Sequence, residues 1–363
     1  MTCRWLVIAL LAFAPSTVPT GVAAMQAGPV ADPARFAIRT MEFVYDTAPY
    51  PQSHASTIVQ TRGGTIAAAW FGGTYERHPD VEIWFARRGP AKWDTPRSVA
   101  TGIQPDGTRL PTWNPVLFQD PKGPLHLFYK VGPSPQQWWG MVISSIDEGR
   151  SWSRPRRLPD GVLGPIKNKP VVLADGDWLS PSSTEQADGG GWSLHFERSR
   201  DAGKTWTATP PVDPGSRFDA IQPSVLMLRD GQLEAVARTR QGVVAATFSR
   251  DGGRSWGPLM PVDLPNPNSG TDAITLRDGR QLIVYNHAAH SPAMPGKGVR
   301  YPINIGLSDD GVRWRNVLTL EDKPLKDGYA YPAVIQSADN LVHITYTYDR
   351  RRIRHIVIDP ARL

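Results

Sequence analysis

Six polar or titratable residues stand at or beside the first position of six short apolar runs: His54, Asn114, Lys169, Gln222, Asp272 and Tyr331. An imidazole changes charge near neutral pH, and a phenol donates a proton or accepts one if its surroundings lower its pKa. Asn114, Lys169 and Asp272 suit the hydroxyl or carboxylate groups of a sugar, and each has a purely structural use as the alternative. Gln222 forms hydrogen bonds but cannot serve as an anionic base. Trp113 and the pair Trp138-Trp139 offer aromatic faces to the C–H surface of a pyranose. Packing of Trp113 between neighbouring strands is the other use of that ring, and an extended Trp138-Trp139 pair turns at most one ring to a ligand. Glu76, His78, Asp80 and Glu82 alternate along the chain without forming a tetrahedral metal-ligand signature, so metal is unassigned and no cofactor is expected.

Positioning these groups together requires a repeated element. The runs are His54–Val59, Trp113–Phe118, Asn168–Leu173, Ile221–Leu226, Thr271–Leu276 and Ala330–Ile335, and most lead into a Gly-containing turn and a second apolar run. Four related turns recur beside them: Ser145–Trp152, Ser199–Trp206, Ser249–Trp256 and the shortened Ser308–Trp314, with a degenerate fifth ending at Trp93. The tryptophans are 59, 54, 50 and 58 residues apart. In each turn Asp accepts backbone hydrogen bonds, Gly takes a positive-φ position and Trp covers apolar surface between strands. Six innermost strands predict an all-β, six-bladed β-propeller over residues 36–363, with blades of about 55 residues and residues 36 to 45 available as an outer strand for the last blade. Radial closure would gather the strand starts around one funnel.

Composition agrees with such a fold. The chain has 363 residues, 40% apolar and 20% charged, with 35 Pro, 33 Gly and 13 Trp, which fits many short strands and tight turns. The net charge of +6 describes an ordinary mixed surface that also favours an anionic polysaccharide; a nucleic-acid partner is not expected. Met1 to Ala24 reads as a signal peptide with Arg4 as its positive flank, Trp5 to Ala14 as its apolar stretch and Val22-Ala23-Ala24 or Ala24–Ala27 as its cleavage site. That stretch is too short for stable membrane insertion, so a periplasmic or extracellular product is expected. Cys3 is the only cysteine, which leaves the mature chain without disulfides or thiolate ligands.

The repeated turns resemble Asp-boxes, also called bacterial neuraminidase repeats, and the order of strands and boxes over residues 36 to 358 resembles that of the sialidases. The resemblance implies a funnel in which three arginines hold a substrate carboxylate, a Glu supports a Tyr nucleophile and an Asp performs acid/base work, with the Asp-boxes on the side away from it. Carried over residue by residue, it assigns Arg238 and Arg300 to the clamp, Tyr331 to the tyrosine and Asp80 to the acid/base group. Tyr329 competes with Tyr331, and His78 with Asp80. Two positions depart from the pattern: His54 stands where the first arginine is expected, nine residues before Gly63, and Gln222 stands where the supporting Glu is expected, 16 residues before Arg238. The chain is therefore expected to diverge from true sialidases.

These readings favour an exo-acting glycoside hydrolase of acidic oligosaccharides or polysaccharides, with His54, Asp80 and Tyr331 catalytic and Arg238, Arg300, Gln222, Asn114, Lys169, Asp272 and Trp113 binding substrate. A uronate-directed lyase, such as a rhamnose-glucuronate lyase, would use His54 and Tyr331 to remove the C5 proton and protonate the departing O4. A noncatalytic glycan-binding propeller is the third reading. Terminal sugar, linkage and oligomeric state are not encoded in these features.

Overall fold

The structure is a computed structural model that describes residues 1–2, 33–186, 191–290 and 296–363. Apart from Met1 and Thr2, the signal peptide expected over residues 1–24 lies outside the described residues, as does Cys3. Six antiparallel four-stranded sheets follow one another along the chain. Blade 1 comprises Gln52–Gln60, Ile66–Gly73, Glu82–Arg87 and Arg97–Ala100. Blade 2 comprises Thr112–Gln119, Leu125–Val131, Trp139–Ser145 and Arg156–Arg157. Blade 3 comprises Val171–Val172, Trp178–Glu185, Trp192–Ser199 and Thr207–Ala208. Blade 4 comprises Ala220–Met227, Leu233–Thr239, Val243–Ser249 and Met260–Pro265. Blade 5 comprises Asp272–Thr275, Gln281–Tyr285, Ile303–Ser308 and Trp314–Glu321.

Blade 6 is built from both ends of the propeller. Its inner strands are Tyr329–Gln336, Val342–Tyr348 and Arg352–Ile358, and its outer strand is Ile38–Phe43, paired with Arg352–Ile358. This pairing closes the ring with main-chain hydrogen bonds, and it explains why the sixth blade needs no Asp-box turn of its own. The all-β, six-bladed propeller read from the sequence is thus the observed fold.

Apolar faces hold the blades together. Six buried clusters occupy the six interfaces between neighbouring blades, for example Phe118, Phe128, Val142 and Trp178 between blades 2 and 3, and Leu226, Val236, Ile283 and Trp314 between blades 4 and 5. Each large aliphatic or aromatic side chain so buried contributes about 1.5–3 kcal/mol by removal from water. Side chains at the ends of innermost strands add polar braces: Gln119 Oε1 accepts from Arg62 N at 3.2 Å, Gln60 Oε1 from Ala338 N at 2.8 Å and Gln336 Oε1 from Arg277 N at 2.8 Å.

The Asp-box turns join the third and fourth strands, at the end of the ring opposite the starts of the innermost strands. Asp251 Oδ1 accepts from Arg254 N and Ser255 N at 3.0 and 2.9 Å, and Gly253 N donates to Ser249 Oγ at 2.8 Å. Gly149 takes φ +81°, and a Cβ there would lie 2.4 Å from the Phe85 ring of blade 1, so both conformation and space demand glycine.

The innermost strand of blade 3 is shorter than the sequence suggests: only Val171–Val172 pair, rather than a run from Asn168. Pro170 offers no N–H, and Lys167 and Asn168 bond to blades 4, 5 and 6 instead.

Candidate active site

Four innermost strands carry a β-bulge just after their start, each with one residue in the left-handed region: Ala55 at φ 56°, Asn114 at 34°, Gln222 at 58° and Tyr331 at 51°. A bulge re-aims side chains at the end of a strand, and a non-glycine residue held at positive φ stores strain that its surroundings must stabilise. Neighbouring blades supply that support. Gln222 N donates to Ser183 Oγ at 3.2 Å, and Gln222 O accepts from Asn168 Nδ2 at 2.9 Å. The Pro332 carbonyl accepts from Lys167 Nζ at 2.6 Å, while Ala55 N donates to Thr347 Oγ1 at 3.1 Å.

These bulges turn distant residues toward one another. The His54 and Tyr331 ring centroids are 4.3 Å apart with planes tilted by 52°. Gln222 Nε2 donates to the Tyr331 hydroxyl at 3.3 Å. The guanidinium carbons of Arg238 and Arg300 lie 5.5 and 5.9 Å from the Tyr331 ring centroid, and Lys167 Nζ lies 5.7 Å from it. His54, Gln222 and Arg238 are nearly excluded from solvent. His54 Nδ1, Gln222 Oε1 and Arg238 Nε have no hydrogen-bond partner. Buried polar atoms of this kind are rare, and a bound ligand or water is the usual reason for them.

Electrostatics makes this pocket cationic. Burial, then Arg350, Arg300, Arg238 and Lys167, hold His54 well below its ordinary pKa, so the ring is neutral at pH 7. Burial likewise pulls the Lys167 ammonium down to about 7, against the attraction of Asp272. Its Nζ donates to Asn168 Oδ1 and to the Thr271 and Pro332 carbonyls.

The BNR repeat-like domain family matches residues 64–344. The chain belongs to that family. The anhydrosialidase of Macrobdella decora is 24% identical over 250 residues, a match covering 61% of this chain and 31% of that protein, so the chain spans about a third of that relative's length. Among solved structures, a Dyadobacter fermentans protein of unknown function superposes with a TM-score of 0.70 at 18% identity, covering 89% of this chain and 100% of the other. The intramolecular trans-sialidase of Ruminococcus gnavus superposes with a TM-score of 0.67 at 14% identity, covering 89% and 97%. At these identities the structural likeness establishes the sialidase-like fold, and the chain is a divergent member of that propeller superfamily.

The other sequence candidates of this BNR repeat-like chain are engaged in bonds of their own. Lys169 Nζ bonds Asp272 Oδ2 at 2.8 Å, and Asp272 also accepts from Ser224 Oγ and from Val334 N, so the pair braces blades 3, 4, 5 and 6. Trp113 is buried and donates through Nε1 to the Gly132 carbonyl at 2.8 Å; the ring edge-on to it, Trp138, is the partly exposed one. Asn114 is buried at its bulge. Asp80 accepts from Thr74 N at 2.9 Å and from the Thr74 hydroxyl, with His78 Nδ1 2.7 Å away, in the loop between the second and third strands of blade 1. Tyr329 donates to the Lys323 carbonyl at 2.9 Å, on the side of blade 6 away from His54.

Three further residues border the site. Arg350, in the loop after the second strand of blade 6, bonds Glu76 at 2.8 Å, and its carbonyl accepts from Ser53 N beside His54. Of the four cations acting on His54 it weighs most. Lys167 and Glu185 approach from blade 3. The signal that could have found Arg350 and Glu185 is topological: every second strand ends at the same face as every innermost strand begins. A cavity of about 580 Å³ opens at the opposite end of the channel, lined by Gln60, Arg62, Gln119, Arg277 and Gln336. Arg62 and Arg277 are spent there on carbonyls and an amide, and neither His54 nor Tyr331 lines it.

Among the described residues no cluster of three or more metal-ligating side chains occurs, and no helix is long and apolar enough to cross a membrane.

Proposed function

We propose that this chain is an exo-acting glycoside hydrolase that removes an acidic sugar from the end of a glycan. The observation that carries the proposal is the convergence of Arg238 and Arg300 on the ring of Tyr331, inside a buried cluster whose His54 is neutral and lacks a partner at Nδ1. Planar guanidinium groups suit a carboxylate, and low exposure strengthens that attraction. The Ruminococcus gnavus protein of the same fold has been seen with oseltamivir carboxylate bound, which supports a carboxylate-bearing ligand here.

In this reading Arg238 and Arg300 hold the sugar carboxylate, with Arg350 and Lys167 adding positive potential. Tyr331 faces the reacting carbon, and its hydroxyl accepts the hydrogen bond from Gln222. Gln222 cannot take the phenolic proton, so the group beside the Tyr331 ring left to take it is His54. This division of labour departs from the sialidase pattern at the two positions where the sequence departs from it.

A specific observation favours elimination as the second reading. The His54 and Tyr331 rings lie 4.3 Å apart, an imidazole and a phenol together, which is a base and acid set suited to a 4-linked uronate whose carboxylate is neutralised by arginines. Incubation with a panel of sialylated and uronate-terminated oligosaccharides, followed by mass analysis, tests both. Hydrolysis adds the mass of water across the cleaved bond; elimination leaves an unsaturated uronate without it. Unchanged masses alongside retained binding would replace both with a noncatalytic glycan-binding propeller.

A further inference from the structure

Departure of a sugar's leaving group needs a proton, and a carboxyl group supplies one only where it stays protonated at working pH. Most carboxyl groups around the funnel are unsuited to this. Glu76 is paired with Arg350 at 2.8 Å. Asp272 is held by Lys169, Ser224 and the backbone of Val334. Partial burial pushes Asp80 up, but the bonds from Thr74 and the nearby His78 outweigh that and hold it below the usual carboxylate range. It is a stable anion tied into its own loop.

Glu185 differs in place and surroundings. It is the last residue of the second strand of blade 3, at the face where the innermost strands begin, and pairs in register with Trp192. The Trp192 ring is covered by the guanidinium carbons of Arg240 at 4.1 Å and Arg238 at 5.1 Å. Arg238 in turn lies 5.5 Å from the Tyr331 ring, so one guanidinium spans from the Trp192 wall to the reactive tyrosine. Burial pushes the Glu185 pKa up despite Arg238, Arg240, Trp192 and Arg77, all of which favour the anion. The side chain remains half-buried and therefore reachable by a ligand.

We propose that Glu185 is the proton donor to the leaving oxygen and the later proton acceptor from water, a role that rests on the glycosidase reading above. In the first half, the Glu185 O–H bond breaks as its proton passes to the glycosidic oxygen. The anomeric C–O electron pair leaves with that oxygen, which gives an alcohol, the Glu185 carboxylate and a glycosyl oxocarbenium ion whose charge the ring oxygen shares. In the second half, water adds its oxygen to the anomeric carbon, and its proton returns to the carboxylate. The sum is glycoside plus water to free sugar plus alcohol, with Glu185 restored. The aglycone therefore exits along the Trp192 wall of blade 3, while the arginines grip the sugar carboxylate.

The test compares leaving groups. The 4-nitrophenyl and methyl glycosides of N-acetylneuraminic acid and of glucuronic acid are offered to the unmodified protein, Glu185→Gln and Asp80→Asn. A departing 4-nitrophenolate needs little protonation, whereas methoxide needs it fully. Glu185→Gln is expected to lose about a hundredfold or more in kcat/KM on the methyl glycoside and under about tenfold on the 4-nitrophenyl one, and to lose the alkaline limb of its pH profile. Asp80→Asn is expected to keep the ratio between the two substrates. Equal losses on both substrates in Glu185→Gln, or the leaving-group dependence appearing in Asp80→Asn instead, would overturn the assignment. If the unmodified protein cleaves none of the four, the glycosidase reading falls and takes this role with it, an outcome distinct from normal cleavage by Glu185→Gln.

Discussion

Glu234 is the second residue of the second strand of blade 4 and is fully buried, with neither carboxyl oxygen hydrogen-bonded. Its carboxyl packs against Gly311 of the blade 5 Asp-box: a Cβ on that glycine would lie 2.2 Å from Oε2. Burial, with a smaller push from Asp310, raises its pKa from 4.5 to about 9. Between those values the unfolded chain has released a proton that the native state keeps. Stability therefore falls as pH rises, by about 1.4 kcal/mol per unit, and at pH 7 the cost is about 3 kcal/mol. Below pH 4.5 the term vanishes. Glu234→Gln keeps the shape and has no proton to release. Urea unfolding of both proteins at pH 5 and pH 8 should show the variant gaining about 4 kcal/mol on the unmodified chain across that interval, since all other titrations cancel in the difference. Parallel stability profiles would refute the reasoning, because they would mean that Glu234 ionises in the fold or meets water.

Arg238→Ala and Arg300→Ala should each weaken binding of an acidic monosaccharide about tenfold to a hundredfold in a calorimetric titration, and weaken its carboxyl-reduced analogue far less. Equal losses for both ligands would argue against direct carboxylate contact. His54→Gln and Tyr331→Phe should fold normally, keep ligand affinity and lose about a hundredfold or more in turnover by steady-state kinetics. Near-normal turnover in both would remove these residues from the reaction.

Much of the architecture was legible in the residues themselves. Four Asp-box turns and six strand starts define a period, and a period of short amphipathic strands can bury its faces only against copies of itself, which dictates a ring. The same register placed His54, Gln222 and Tyr331 at strand starts, and local rules of this kind carry the information because bulge and turn preferences belong to a few neighbouring residues. Parity and turn chemistry did not separate Glu234 from Arg238, which share a face of one strand; four residues of rise, about 13 Å, set one against an Asp-box and the other in the funnel. Nor could they foresee that Lys169 and Asp272 would be consumed by each other, that Asp80 would be held in its own loop, or that Trp113 would be sealed beneath Trp138. Arg350, Lys167 and Glu185 reach the site from blades 6 and 3. Charge and burial at a point in space are sums over residues remote in sequence, so the neutrality of His54 and the upward push on the Glu185 pKa were decided only when six blades closed around one axis.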